Sequence, residues 1–206
     1  VRPDTKIPSG VDYDMWLGPA PDRPFNTNRF HFTFRWLWDY AGGLMTDWGV
    51  HLLDVVLWGM NATTPNRIVS SGGNFAYPNS AMETPDTQQA IFEFPDFTMI
   101  WEHANGIGLG PYQRSHGIAF IGNNGTLIVD RGGWEVLPEI ESEQGVKKSK
   151  VEPVERQSAE PGETGLAQHT SNFVNAIREN EELNCDINVG SLAAINAHMG
   201  NVALKT

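Results

Sequence analysis

The stretch "WDYAGGLMTDWGVHLLDVVLWGM", residues 38–60, limits the fold more than any other part of this chain. Met45, Trp48, Val50, Leu52, Leu53, Val55, Val56 and Leu57 surround nearly the whole circumference of a helix expected from about Thr46 to Met60. A helix written this way is buried on most sides. Asp47, His51 and Asp54 interrupt it. At 100° per residue, with Asp47 as zero, His51 falls at about 40°, Asp54 at about 340° and Trp58 at about 20°, so all four share one narrow face. Two carboxylates and an imidazole buried without partners would cost several kcal/mol, and the face is therefore expected to meet polar partners, a metal or a wet cavity.

The layers that would bury the rest of this helix are also written in the sequence. "NRIVSSGGNFAYP" reads as a strand, and "TQQAIFEFP" and "FTMIWEHANG", separated by Pro95 and Asp96, read as a hairpin. In its second run Phe97, Met99, Trp101 and His103 alternate with Thr98, Ile100, Glu102 and Ala104, two faces of one strand. "GIAFIGNNGTLIVDRGGWEVLPE" adds short strands with "NNGT" and "RGG" as turns. Residues 1–40, rich in Pro, Gly, Asp and Asn, read as an irregular segment pinned by Trp16, Phe25 and Phe30. Residues 139–165 are charged and poor in apolar side chains, an exposed excursion. "LAQHTSNFVNAIREN" and "NVGSLAAINAHMGNVAL" read as two closing helices, the first with Leu166, Thr170, Phe173, Val174 and Ile177 on one stripe. Together these elements give an α+β fold with a mostly antiparallel sheet.

With 206 residues, 40% of them hydrophobic, the chain can bury a sizeable core and is expected to form one domain over 1–206. A net charge of −11 has the wrong sign for phosphates or anionic lipid, so neither nucleic acid nor a membrane is an expected partner. No apolar run approaches the roughly 20 residues of a membrane span. The single cysteine, Cys185, excludes an internal disulfide and a multi-cysteine metal site. It fits a reducing compartment, and a cytoplasmic setting is expected. The chain opens on Val1 rather than Met, so it reads as a fragment that leaves export open.

Asp47 and His51, four residues apart on a helix, are close enough to touch. A carboxylate beside an imidazole orients the ring and favours its charged form, the arrangement needed where a histidine takes and returns a proton near neutral pH. A structural Asp–His pair in the core is the competing reading. Asp54 on the same face, and the "AGG" that lets a backbone or ligand approach closely, favour a site. No metal is expected, because three ligands on one helical face point the same way and do not converge.

"GGLMTDWGVHLLD" resembles the signature of the C-terminal domain of the Gfo/Idh/MocA family, the glucose–fructose oxidoreductase and inositol dehydrogenase-like enzymes. "YDMWLGPAP", "NRFHFTFRWLWDYAGG", "EFPDFTMIWEHANG", "GTLIVDRGGWEVLPE" and "HTSNFVNAIREN" extend the likeness, to a bacterial subgroup, over almost the whole chain. The resemblance implies a large open sheet with helices on one face, serving substrate binding and homo-oligomerisation. It implies NAD or NADP in the full-length protein and a sugar or polyol as substrate. It further implies that His51 is the acid/base, that Asp47 orients substrate and tunes His51, and that Asp54 binds a substrate hydroxyl.

Two features of that family are absent: a GxGxxG turn after a strand, which places a pyrophosphate on a helix N-terminus, and a Glu-Lys-Pro segment. "GIGLG" at 106–110 is followed by a loop rather than a helix. The Rossmann domain is thus expected upstream of Val1, with no cofactor-binding residue in this fragment and no activity for the fragment alone. Arg35, Tyr40 and His103 are secondary substrate-binding candidates, with Arg29 and His31 behind them; packing or capping explains Trp36, His169 and His198. Two other functions compete with the dehydrogenase: a hydrolase or lyase that oxidises C3 of a sugar transiently, and a module that only pairs subunits.

Overall fold

The computed structural model describes residues 2–160, 162 and 164–206. In chain order its helices are α1 (Tyr13–Leu17), α2 (Gly43–Asp47), α3 (Gly49–Gly59), α4 (Leu166–Glu179) and α5 (Ile187–Lys205). The strands are β1 (Arg67–Gly73), β2 (Thr87–Glu93), β3 (Thr98–Ala104), β4 (Ile118–Ile121), β5 (Gly125–Asp130), β6 (Gly133–Pro138), β7 (Ile140–Glu143), β8 (Val146–Ser149) and β9 (Val154–Ser158). The fold is α+β with antiparallel pairing throughout these strands. The chain divides into two compact units: residues 2–108 with 187–206, and Leu109–Asp186.

In the first unit β1, β2 and β3 form a three-stranded sheet in that order. The alternation read from the sequence holds: Met99, Trp101 and His103 of β3 are buried, while Thr98, Ile100 and Glu102 are exposed. Gln88, Ala90 and Phe92 of β2 join the buried face. Against it pack Met45 of α2, Leu53 and Leu57 of α3 and Ala197 of α5. Met45, Leu53 and Phe92 are at most 2% exposed, and burial of each contributes roughly 1.5–3 kcal/mol. The opposite face stays open, with Val69, Ile91 and Ile100 in register across the three strands.

The expected helix from Thr46 to Met60 begins earlier and is divided at Trp48, whose backbone remains right-handed at φ −84° and ψ −31°. The His51 and Leu52 amides share the Trp48 carbonyl at 3.1 and 3.3 Å, a tightening of the first turn of α3 toward 3₁₀ geometry. The earlier start is set by Gly43, at φ +64°, where a Cβ would lie 2.6 Å from Thr84 Cβ. Only glycine takes this left-handed position cheaply and leaves room for Thr84. The neighbouring Gly42 offers its carbonyl to Asn201 Nδ2 at 2.8 Å. In the structure, then, the "AGG" admits Thr84 and α5.

Residues 1–40 are pinned by aromatics, as expected. Trp16 lies 5.6 Å from Tyr13, 5.1 Å from Phe30 and 5.2 Å from Tyr40 between ring centroids, and Phe25 contacts Tyr13 and Phe30. Two 3₁₀ turns, Thr27–Arg29 and His31–Trp36, carry the chain toward α2.

In the second unit β4, β5, β6 and β9 form one sheet and β7 and β8 a separate ribbon. Asp130 accepts hydrogen bonds from Arg114 at 2.5 Å and Arg156 at 2.8 Å, and Arg114 also reaches Glu135. The excursion over 139–165 is exposed, as its charge implies, but it is not structureless. It holds β7, β8 and the whole edge strand β9, and Glu141 pairs across the ribbon with Lys148. Pro161 and Glu163 of this excursion lie outside the described residues. No helix among the described residues is long and apolar enough to cross a membrane.

Candidate functional site

The face of α3 carrying the polar residues points away from the sheet. Leu53 and Leu57 are buried, whereas His51 is exposed, Trp58 is 83% exposed and Asp54 is half-buried. The face is wet, so the desolvation cost that the sequence raised does not arise. Among the described residues, neither His51 nor Asp54 forms a side-chain hydrogen bond or ion pair. No group of three His, Cys, Asp or Glu side chains among them could hold a metal ion.

Asp47, half-buried at the end of α2, pairs with Arg35 rather than with His51: Arg35 Nη1 donates to Asp47 Oδ2 at 2.8 Å. Arg35 comes from the 3₁₀ turn before α2. Its Nε donates to the Phe32 carbonyl at 3.0 Å and its guanidinium lies 4.0 Å from the Phe32 ring centroid. The structure therefore brings Arg35, Asp47, His51 and Asp54 onto neighbouring elements of one unit, with Arg35 at Asp47 instead of standing free.

Tyr40 and His103 face elsewhere. Tyr40 turns into the aromatic cluster of residues 1–40, and its hydroxyl, like that of Tyr13, is buried without a hydrogen-bond partner among the described residues. Burial, and then the neighbouring Tyr40, push the Tyr13 hydroxyl up from its ordinary value. Tyr40 was expected to help bind substrate; its ring packs against Trp16, 5.2 Å between centroids. His103 is 8% exposed. Its Nδ1 accepts from Trp101 Nε1 at 2.9 Å, which fixes the proton on Nε2, 3.2 Å from the Pro85 carbonyl. A sugar hydroxyl could reach His103 only by displacing one of these bonds. Burial lowers its pKa, against a weaker upward pull from the Pro85 carbonyl and Asp86.

Sequence reasoning missed the segment that braces the site, Glu83 to Asp86. The Trp36 carbonyl accepts from the amides of Glu83 at 2.9 Å and Thr84 at 3.2 Å. Asp86 is fully buried and accepts from the amides of Phe75, Ala76 and Tyr77 and from the Thr87 hydroxyl, at 2.8–3.0 Å. Burial alone would raise its pKa; the four donors, Tyr77 foremost, outweigh burial and hold the carboxyl below its ordinary value. "TPDT" reads locally as a turn, and only the acidic residue within it hinted at this anchor.

The unit bearing α3 packs helices on one face of a three-stranded antiparallel sheet. Residues 2–74, which include Arg35, Asp47, His51 and Asp54, match the family "Oxidoreductase family, C-terminal alpha/beta domain". The matching model is that of the Gfo/Idh/MocA oxidoreductases, and it covers about a third of the chain. The fold is shared with UDP-N-acetylglucosamine 3-dehydrogenase GnnA from Acidithiobacillus ferrooxidans, at TM-score 0.52 and 15% identity over 76% of this chain and 45% of that one. A NAD-binding protein from Listeria innocua gives TM-score 0.58 and 15% identity over 84% and 52%. The WlbA dehydrogenase from Bordetella pertussis, solved with NADH and UDP-GlcNAcA, gives TM-score 0.53 and 16% identity over 82% and 44%. The chain spans about half the length of these structures. No curated protein matches it.

Proposed function

We propose that this chain is the substrate-binding half of an NAD(P)-dependent dehydrogenase acting on a sugar or polyol hydroxyl, with His51 as the acid/base. The observation that carries the reading is the outer face of α3. There an exposed histidine, without a side-chain partner among the described residues, shares α3 with half-buried Asp54 and follows half-buried Asp47 at the end of α2, inside the segment that matches the oxidoreductase family. A histidine with this surrounding can take a hydroxyl proton near neutral pH, while Asp47 and Asp54 accept hydrogen bonds from neighbouring hydroxyls. A bound nicotinamide would accept the hydride from the same carbon.

The residues here do not fit the dinucleotide itself. Gly106 to Gly110 lead into a 3₁₀ turn, Pro111–Gln113, not a helix whose N-terminus could hold a pyrophosphate. The nucleotide is assigned to the remainder of the full-length protein, and the exposed Trp58, seven residues along α3 from His51, gives that remainder an apolar surface to cover. The open face of the β1–β2–β3 sheet supports subunit pairing, because Val69, Ile91 and Ile100 form an exposed β-branched row at 50%, 40% and 64%.

His51→Ala in the full-length protein tests the reading, with NAD+ or NADP+ reduction followed over UDP-N-acetylglucosamine, glucose and myo-inositol. Loss of at least about 100-fold in turnover is expected; unchanged turnover would remove His51 from the chemistry. Net cofactor reduction separates a dehydrogenase from a lyase or hydrolase that returns the hydride.

A further inference from the structure

We infer that Arg35 is a positioning residue, acting through Asp47 rather than by binding substrate. The inference rests on the reading of the α3 face as the proton-transfer site and adds to it a device that aims one of its carboxylates. Asp47 closes a helix of five residues and is 29% exposed; left alone, its carboxylate would turn freely in water and pair with His51 one turn on. The Arg35 guanidinium takes Oδ2 at 2.8 Å. That leaves Oδ1 as the oxygen with which Asp47 can meet a hydroxyl.

The guanidinium is itself immobilised. Nε is spent on the Phe32 carbonyl and one face covers the Phe32 ring. A planar fork held in this way loses little further freedom on pairing, unlike a lysine. With its charge balanced by Asp47, Arg35 is poorly suited to recognise a substrate anion.

The carriers of the pair are fixed by one residue. Thr84, fully buried, donates its amide to the carbonyl of Trp36, next to Arg35, and fits under Gly43, where α2 begins its short run to Asp47. The turn bearing Arg35 and the helix bearing Asp47 thus share a brace, and a shift of either would break the same contact. Preorganisation of this kind keeps a catalytic oxygen within a few tenths of an ångström of its working position.

Two measurements test the inference. In this 206-residue chain, without any sugar, the Arg35 side-chain ¹⁵N signals are expected to show hindered guanidinium rotation, abolished by Asp47→Asn; signals unchanged by Asp47→Asn overturn the pairing. In the full-length protein, with NAD+ and UDP-N-acetylglucosamine as the probe, Arg35→Met and Asp47→Asn are each expected to lower kcat/KM about 10- to 100-fold. The double variant should be no slower than Asp47→Asn, with partial recovery in Arg35→Lys. Losses that multiply in the double variant overturn the inference and give Arg35 its own contact with substrate. If Asp47→Asn leaves kcat/KM unchanged while the ¹⁵N result holds, the pairing stands and the reading of the α3 face fails instead.

Discussion

His51, on the outer face of α3, has no side-chain hydrogen bond among the described residues, whereas His103, on the buried face of β3, commits both ring nitrogens to Trp101 and Pro85. The two belong to one compact unit. A ring that must take and return a proton needs water, substrate or a carboxylate at its nitrogens. A ring that holds two elements together needs a fixed tautomer and exclusion of water. The same contrast separates the carboxylates: Asp86 is saturated by four donors, while Asp47 has one partner and Asp54 none among the described residues. Groups whose hydrogen-bonding capacity the fold has used up serve stability. Groups left with spare capacity are the ones available for chemistry.

Variants can break or sharpen this contrast. Asp86→Ala should destabilise most, by about 3 kcal/mol or more, because it strands three amides in the fold; urea unfolding measures it, and a loss below about 1 kcal/mol would contradict the anchoring role. His103→Ala should cost about 2–3 kcal/mol by leaving the Trp101 indole and the Pro85 carbonyl unpaired. Gly43→Ala should cost about 2 kcal/mol from a left-handed backbone and the approach of Thr84. His51→Ala should stay within about 0.5 kcal/mol of the parent, as an exposed substitution does, while turnover falls. If it destabilised as much as His103→Ala, the distinction between the two histidines would be lost.

A smaller effect appears in the pH dependence. His103 has a folded pKa below its ordinary 6.5, so the unfolded chain binds its proton first. Its contribution is complete above about pH 6.5 and is lost as pH falls from there through the folded value. Unfolding free energies should decline from pH 7 to pH 5, and less steeply in His103→Phe. Asp86, with its pKa lowered from 3.8, acts in the same direction only in more acid solution. Its contribution is present above about pH 3.8 and lost as pH falls through the folded value.

Much of the first unit was legible because period and chemistry agree there. Met99, Trp101 and His103 alternate with Thr98, Ile100 and Glu102, and the sheet buries the first set. Leu53 and Leu57 share one side of α3 and the core takes them, while His51 stays exposed on the other. The break at Trp48 was not legible, because nothing local forbids a continuous helix; tertiary contacts of Gly42 and Gly43 set where it starts. The packing of Tyr40 and His103 was not legible for a related reason. Their side chains suit a cavity wall or a core equally well, and only neighbours distant in sequence choose between them. The strands within residues 139–165 were hidden because charge density outweighed a weak alternation.

The sequence alone determined the antiparallel hairpin of β2 and β3, the buried and exposed sides of β3 and the helical run that carries His51 and Asp54, since each follows from the repeat of a helix or a strand. Only the tertiary structure decided that the face bearing His51 is wet, that Asp47 belongs to Arg35 and that Thr84 braces them both. Those outcomes depend on contacts between residues 12 to 48 positions apart, which no local period encodes.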